Sequence, residues 1–305
     1  MGVAGWPTAP GLPERDSYPM NTTTSTVKTY PAYFTAAGRD VFEPTPSAAG
    51  YWGEGLLSGP AVAGLAAYTL EERFGDPAFQ PARFTIDLLK PAVQAPIRVQ
   101  TRVIRAGKRA HYAECDVLQG DWIVAQATLV QYRRSAAPQG AGWATAADFV
   151  PPTGAAGDVV FVGSDEAGWT PMGENHQNTS RKRAYYRGLE VIDGKEVSPF
   201  VRSVIVSEAA TNLVAHLGTA GIGYINGDLT VALSRLPVSE FIGVQADSQW
   251  AADGVSVGNA TLFDDAGPFG TAMVTALANP AAQIDFAAGT DVSAPGSELF
   301  AGNRG

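Results

Sequence analysis

The chain has 305 residues, 45% of them hydrophobic and 17% charged, with 34 glycines and 21 prolines; this excludes a disordered protein outside its tails and allows one large domain or two of half the length. Thirty acidic residues against 21 basic ones give a net charge of −9, which argues against a general nucleic-acid or anionic-membrane surface. A single cysteine, Cys115, rules out an internal disulfide, a cysteine zinc site and a CxxC redox pair, and so points to a reducing compartment.

Residues 1–29 are rich in Gly and Pro and lack the basic and apolar regions of a signal peptide, so they read as a loose tail. The longest apolar run, residues 55–68, is too short to cross a bilayer, and a cytoplasmic location with no membrane partner is expected. Within that run Ser58-Gly59-Pro60 is a helix start signal, and AVAGLAAYTLEERFG continues to Gly75 as a stop. This helix is small and apolar nearly all round, which predicts burial. From Ile97, apolar Ile97, Val99 and Val103 alternate with Arg98, Gln100 and Arg102, the period of a strand with one covered face. Two more strands follow at 110–118 and 122–132, joined by the turn Gln119-Gly120-Asp121. Residues 136–179 carry little periodicity and read as a linker draped over the surface.

In the second half the β-branched run 201–206 predicts a strand, Ser207 a helix cap, and EAATNLVAHL a helix ending at Gly218. A second meander is expected at 241–250, 255–263 and 269–277, before a tail at 281–305. The two meanders are copies. With Lys90 set on Arg235, an offset of 145 residues places Ile97 on Ile242, Val99 on Val244 and Leu129 on Val274 without a gap. The expected organisation is therefore a first repeat at 30–135 and a second at 180–280, each a largely buried helix with an antiparallel meander.

Several motifs carry no chemistry in this setting. GVSVG around Ser256 fits the nucleophile-elbow formula, but Ser256 follows a hairpin turn, stands in an alternating strand and has no histidine after it in the chain. GIGYING at 221–227 follows a helix rather than a strand, which is wrong for a dinucleotide loop. His111, His176 and His216 are scattered and give no metal-ligand spacing, so neither a metal nor a cofactor is expected.

The helix SGPAVAGLAAYTLEE, the sheets FTIDLLKPA and RVIRAGKRAHYAECDVLQGDWIVAQATL, and their counterparts GYINGDLTVALSRLPVSEFIGVQADS and GVSVGNATLFDDAGPFGTAM resemble the double-hotdog acyl-CoA thioesterases. The resemblance runs over roughly residues 30–279 and implies an α+β double hotdog: two repeats, each a central helix wrapped by an antiparallel sheet. It implies hydrolysis of an acyl-CoA thioester by activated water, with a non-catalytic acyl-CoA or lipid binder, or an enoyl-CoA hydratase or dehydratase, as alternatives. A homo-oligomer is implied by the same resemblance.

Such thioesterases use backbone N–H groups at a helix N-terminus to polarise the carbonyl and a carboxylate to take a proton from water. Glu208 falls where the family has its Asp, expected in the first turn of the second helix, and Asn226 falls near a family Thr. The family Gln on the last strand is missing; Val274 or Thr275 stands there, so Thr275, Thr211 or Asn212 would have to place the water. Gly59 at the first helix N-terminus is an expected substrate contact, and Glu54 just ahead of it a second candidate carboxylate. For the anionic nucleotide end of coenzyme A, Lys108 and Arg109 lie in a segment, 90–134, holding eight basic residues against three acidic ones. A second basic cluster is Arg181–Arg183 with Arg187, whereas from Ser203 onward there are two basic residues against ten acidic.

Overall fold

The computed structural model describes residues 31–143 and 148–288; the tail expected at 1–29 lies outside them. The first repeat begins with strands β1 (Ala32–Ala36) and β2 (Val41–Pro44), then helix α1 (Gly59–Phe74), then β3 (Phe79–Leu88), β4 (Ile97–Ala106), β5 (Ala110–Gln119) and β6 (Trp122–Arg133). The stretch read as a surface linker contributes β7 (Phe161–Ser164) and β8 (Thr170–Pro171). Then come β9 (Lys182–Tyr186), β10 (Glu190–Ile192), α2 (Pro199–His216), β11 (Leu217–Gly218), β12 (Gly221–Ile222), β13 (Tyr224–Asn226), β14 (Asp228–Leu233), β15 (Ile242–Ala252), β16 (Val255–Asp264) and β17 (Gly267–Ala278).

The 145-residue offset is visible in the backbone. It carries the limits of β5 onto those of β16, and those of β6 onto those of β17. Each meander closes on a further strand, β6 on β3 and β17 on β14. β3 and β14 then pair with each other, antiparallel, from Asp87 with Asp228 to Arg83 with Ala232. One sheet of fifteen strands thus runs through both repeats. Alternation along it sends Ile97, Val99, Val231, Leu229, Ala272 and Val274 to the inner face, all nearly inaccessible to solvent.

α1 packs on β3, β4, β5 and β6, α2 on β9 and β14 to β17, and the helices pack on each other. They run antiparallel: Gly59 at the start of α1 meets Glu208 of α2, Gly64 meets Ile205, and Glu71 near the end of α1 meets Ser198. Close approach needs the missing side chain at Gly64, where a methyl group would come within 3.0 Å of Ile205 and 3.3 Å of Val191.

The expected strand at 201–206 is instead the first half of α2. Ser198-Pro199 is a helix start as good as Ser58-Gly59-Pro60: Ser198 Oγ accepts from Val201 N–H at 3.1 Å and donates to the Glu71 carboxylate. β-branched residues lose only a few tenths of a kcal/mol in a helix, while burying each of Val201, Val204, Ile205 and Val206 returns about 1.5–3 kcal/mol. Tertiary burial wins over propensity. Ser198→Ala removes the cap and is expected to lower the unfolding free energy by about 1–2 kcal/mol, read by urea denaturation.

Candidate active site

Because α2 starts nine residues before Glu208, this carboxylate is not in a first helical turn as its sequence context implied; it sits in the middle of α2. What it faces is the first turn of the other helix. A methyl group on Gly59 would overlap the Glu208 carboxylate, coming within 2.6 Å of Oε2 and closer still to Oε1. Gly59 and Ala61, the first and third residues of α1, have N–H groups with no intrahelical acceptor, and the residue between them is Pro60, which has none. Asn226, at the end of β13, donates from Nδ2 to Glu208 Oε1 at 3.1 Å. Burial pushes the Glu208 carboxyl up to about 7, the Asn226 hydrogen bond opposing the rise.

Glu208, Gly59 and Asn226 share the wall of a cleft enclosing about 950 Å³, its open mouth included. Its lining includes the apolar side chains of Trp52, Met172, Leu213, Ile222, Ile284 and Phe286. Ile284 and Phe286 come from the stretch read as a C-terminal tail; Ile284 is held by backbone hydrogen bonds to Ile222. The lining also includes three phenols, Tyr33, Tyr51 and Tyr186, that sequence reasoning did not single out. The Tyr33 and Tyr186 hydroxyls are hydrogen-bonded to each other, and burial pushes both well above the usual phenol range, with the Glu208 and Tyr51 charges adding to the rise at Tyr33. No motif marks them: Tyr33 stands on β1, Tyr186 on β9 and Tyr51 in the bend ahead of α1, all outside the repeated meanders.

Of the other expected site residues, Asn212 is in the cleft, one turn beyond Glu208 on the same face of α2. Thr211 is fully buried beside it, its hydroxyl without a partner among the described residues, and does not line the cleft. Thr275 points to the outer face of β17, where its hydroxyl donates to the Asp228 carboxylate; the inward residues there are Val274 and Ala276. Glu54 lies exposed in a turn. Lys108 and Arg109 occupy the exposed β4–β5 turn, near the C-terminal end of α1, where Gln131, opposite His111, donates to the Phe74 carbonyl. That is the far end of a sixteen-residue helix, about 24 Å from Gly59. Arg181, Arg183 and Arg187 are each engaged by carboxylates, Asp247, Asp165 and Asp158 among them.

Ser256 does have a histidine partner, contributed from earlier in the chain. Asn212 donates from Nδ2 to the Tyr224 carbonyl at 3.1 Å, so its Oδ1 accepts from His216 Nδ1 at 2.5 Å, and His216 Nε2 faces Ser256 Oγ at 2.8 Å. Burial depresses His216 to about 4, keeping it neutral. The order is that of a Ser-His-Asn triad, but Ser256 is 1% exposed and its strand is paired on both sides, to β15 and β17, so no free N–H groups flank it to hold an oxyanion. The chain instead fixes the carboxamide of Asn212.

Two helices wrapped by one continuous, mostly antiparallel sheet in which only β1 and β10 pair in parallel among the described strands, with a carboxylate from one helix seated on the N-terminus of the other, define a double hotdog. The chain belongs to the acyl-CoA thioesterase family: the family's N-terminal domain matches residues 48–132 and its C-terminal domain residues 129–277. Among solved structures it is similar to the tesB protein of Mycobacterium avium subsp. paratuberculosis (13% identity, 81% of this chain and 96% of that one, TM-score 0.56). It is similar also to the acyl-CoA thioesterase II TesB2 of Mycobacterium marinum (14%, 81% and 95%, 0.56). A third likeness is to a conserved hot dog protein of unknown function from Alicyclobacillus acidocaldarius (12%, 81% and 95%, 0.58). No curated protein matches the chain by sequence. Among the described residues no helix is long and apolar enough to cross a membrane, and no three His, Cys, Asp or Glu side chains cluster to hold a metal ion.

Proposed function

We propose that the protein hydrolyses acyl-CoA thioesters by single displacement with water, at the cleft between the α1 N-terminus and Glu208. The observation that carries this reading is the seat of a buried carboxylate against Gly59, where N–H donors and a proton acceptor meet at one point. The thioester carbonyl oxygen takes the Gly59 and Ala61 N–H groups, which stabilise the charge that develops on it. Glu208 takes the proton of the attacking water; a base with a pKa near 7 is well matched to that task at neutral pH. Asn226 holds the carboxylate by one hydrogen bond, and its buried Oδ1, which has no partner among the described residues, accepts the water's second hydrogen. The acyl chain lies along Trp52, Leu213 and Phe286. The acidic chain with one buried thiol, Cys115, suits a cytoplasmic setting.

The test is release of free thiol from a panel of acyl-CoAs of increasing chain length. Turnover by the wild-type protein and none by Glu208→Ala is expected; equal hydrolysis by both removes Glu208 from the mechanism. A second reading, an acyl-CoA binder without turnover, draws support from the apolar Val274 and Ala276 that face inward on β17. Thermal stabilisation by acyl-CoA with no thiol released decides for it.

A further inference from the structure

The two helices of this chain begin alike, and one of them leaves its capping group unused. Ser198, in extended backbone (φ −65°, ψ 158°) before Pro199, accepts from the N–H of the third helical residue, Val201. Ser58 has the same backbone shape (φ −74°, ψ 147°), and Ala61 stands where Val201 does, yet Ser58 makes no capping hydrogen bond. Its Oγ is buried and has no hydrogen-bond partner among the described residues. A buried hydroxyl without a partner is costly, and a Ser at this position ordinarily settles the cost by capping. Ser58 also lines the cleft, adjacent to Gly59, on which Glu208 is seated.

We propose that Ser58 is a further catalytic residue, whose hydroxyl donates a hydrogen bond to the thioester carbonyl oxygen beside the Gly59 and Ala61 N–H groups. The proposal rests on the thioesterase reading of the cleft. In the step it serves, water oxygen bonds to the carbonyl carbon, the C=O π pair moves onto oxygen, and Glu208 takes the water proton. Collapse then re-forms C=O and breaks the C–S bond, and the proton passes to the departing thiolate. Ser58 forms no covalent bond at any stage, since neither Glu208 nor another base stands within hydrogen-bonding reach of its Oγ to activate it.

Two substrate analogues isolate the contact by calorimetry: a ketone, with CH₂ in place of the thioester sulfur, and a thioether, with CH₂ in place of the carbonyl. Ser58→Ala is expected to bind the ketone about tenfold more weakly and the thioether as tightly as wild type. On the best acyl-CoA its kcat falls about 10²-fold and its KM rises by no more than the factor lost on the ketone, and Ser58→Thr, which keeps a hydroxyl, recovers most of both losses. Its thermal midpoint does not fall and rises slightly, because the side chain caps nothing and its removal takes away a buried hydroxyl without a partner, whereas Ser198→Ala melts earlier. Equal weakening of both analogues, full affinity for the ketone, or an acyl group found on Ser58 by mass spectrometry after quenching overturns the assignment. If Glu208→Gln is inactive while Ser58→Ala keeps full kcat, Ser58 alone is struck out. If the wild-type protein binds neither analogue, the thioesterase reading falls and takes Ser58 with it.

Discussion

Glu208→Gln is expected to lower kcat for thioester hydrolysis by about 10³-fold and, above pH 7, to make the protein more stable than wild type. The loss of rate follows from removing the proton acceptor while keeping its shape and its hydrogen bond from Asn226. The gain in stability follows from burial, which raises the folded-state pKa of Glu208 from its ordinary 4.5 to about 7. A folded state with a raised carboxyl pKa holds its proton more tightly than the unfolded state does. The resulting stability is fully present below pH 4.5 and is lost as pH climbs through 7, amounting to about 3 kcal/mol when the whole window is crossed. Glutamine has no charge to desolvate. Urea denaturation is therefore expected to show variant and wild type alike at pH 4.5 and the variant ahead at pH 8. The wild-type kcat/KM should rise with pH through an apparent pKa near 7, as a reaction that needs the carboxylate must. A Gln variant that turns over at the wild-type rate contradicts the assignment, whatever its stability.

This opposition between stability and rate also marks what the sequence could and could not disclose. The strands of the two meanders follow from alternation alone, and a common offset of 145 residues places both sets, because period-two burial is written locally in residues such as Ile97, Val99 and Val244. The start of α2 was misplaced for the same reason. Residues 201–206 are locally strand-like, and only their enclosure between α1 and the sheet makes them helical. Glu208 and Asn226 were legible as residue types at suggestive places, but the role proposed for them depends on Gly59, about 150 residues from Glu208 in the chain, and that contact exists only because α1 and α2 pack antiparallel. Chain order hides the partner of Ser256, a histidine that comes before it on α2, but Ser256 stays without a nucleophile's surroundings, as its strand context implies. Lys108 and Arg109 have the charge expected of a coenzyme A contact, and the sheet carries them to the C-terminal end of α1, away from Gly59.

Gly59→Ala is expected to abolish activity, by about 10²-fold or more, through the carboxylate rather than through the helix. Alanine is the better helix former, and nothing in the backbone at Gly59 requires glycine, so the substitution alone would not be expected to unfold α1. Its methyl group, however, takes the space held by Oε1 and Oε2 of Glu208. That carboxylate is the end of a flexible side chain and can turn aside, but it is 6% exposed and turning breaks the hydrogen bond from Asn226. The expected cost is about 1–3 kcal/mol of stability, as for other overpacked cores, together with loss of the proton acceptor from its place opposite the α1 N–H groups. A double-mutant cycle separates the two effects. If the overlap is with the Glu208 side chain, Gly59→Ala in a Glu208→Ala background costs no stability at all, and the coupling between the two positions equals nearly the whole penalty of the single variant. If the penalty persists without the glutamate, glycine is needed there for the backbone, and the carboxylate is not what confines it.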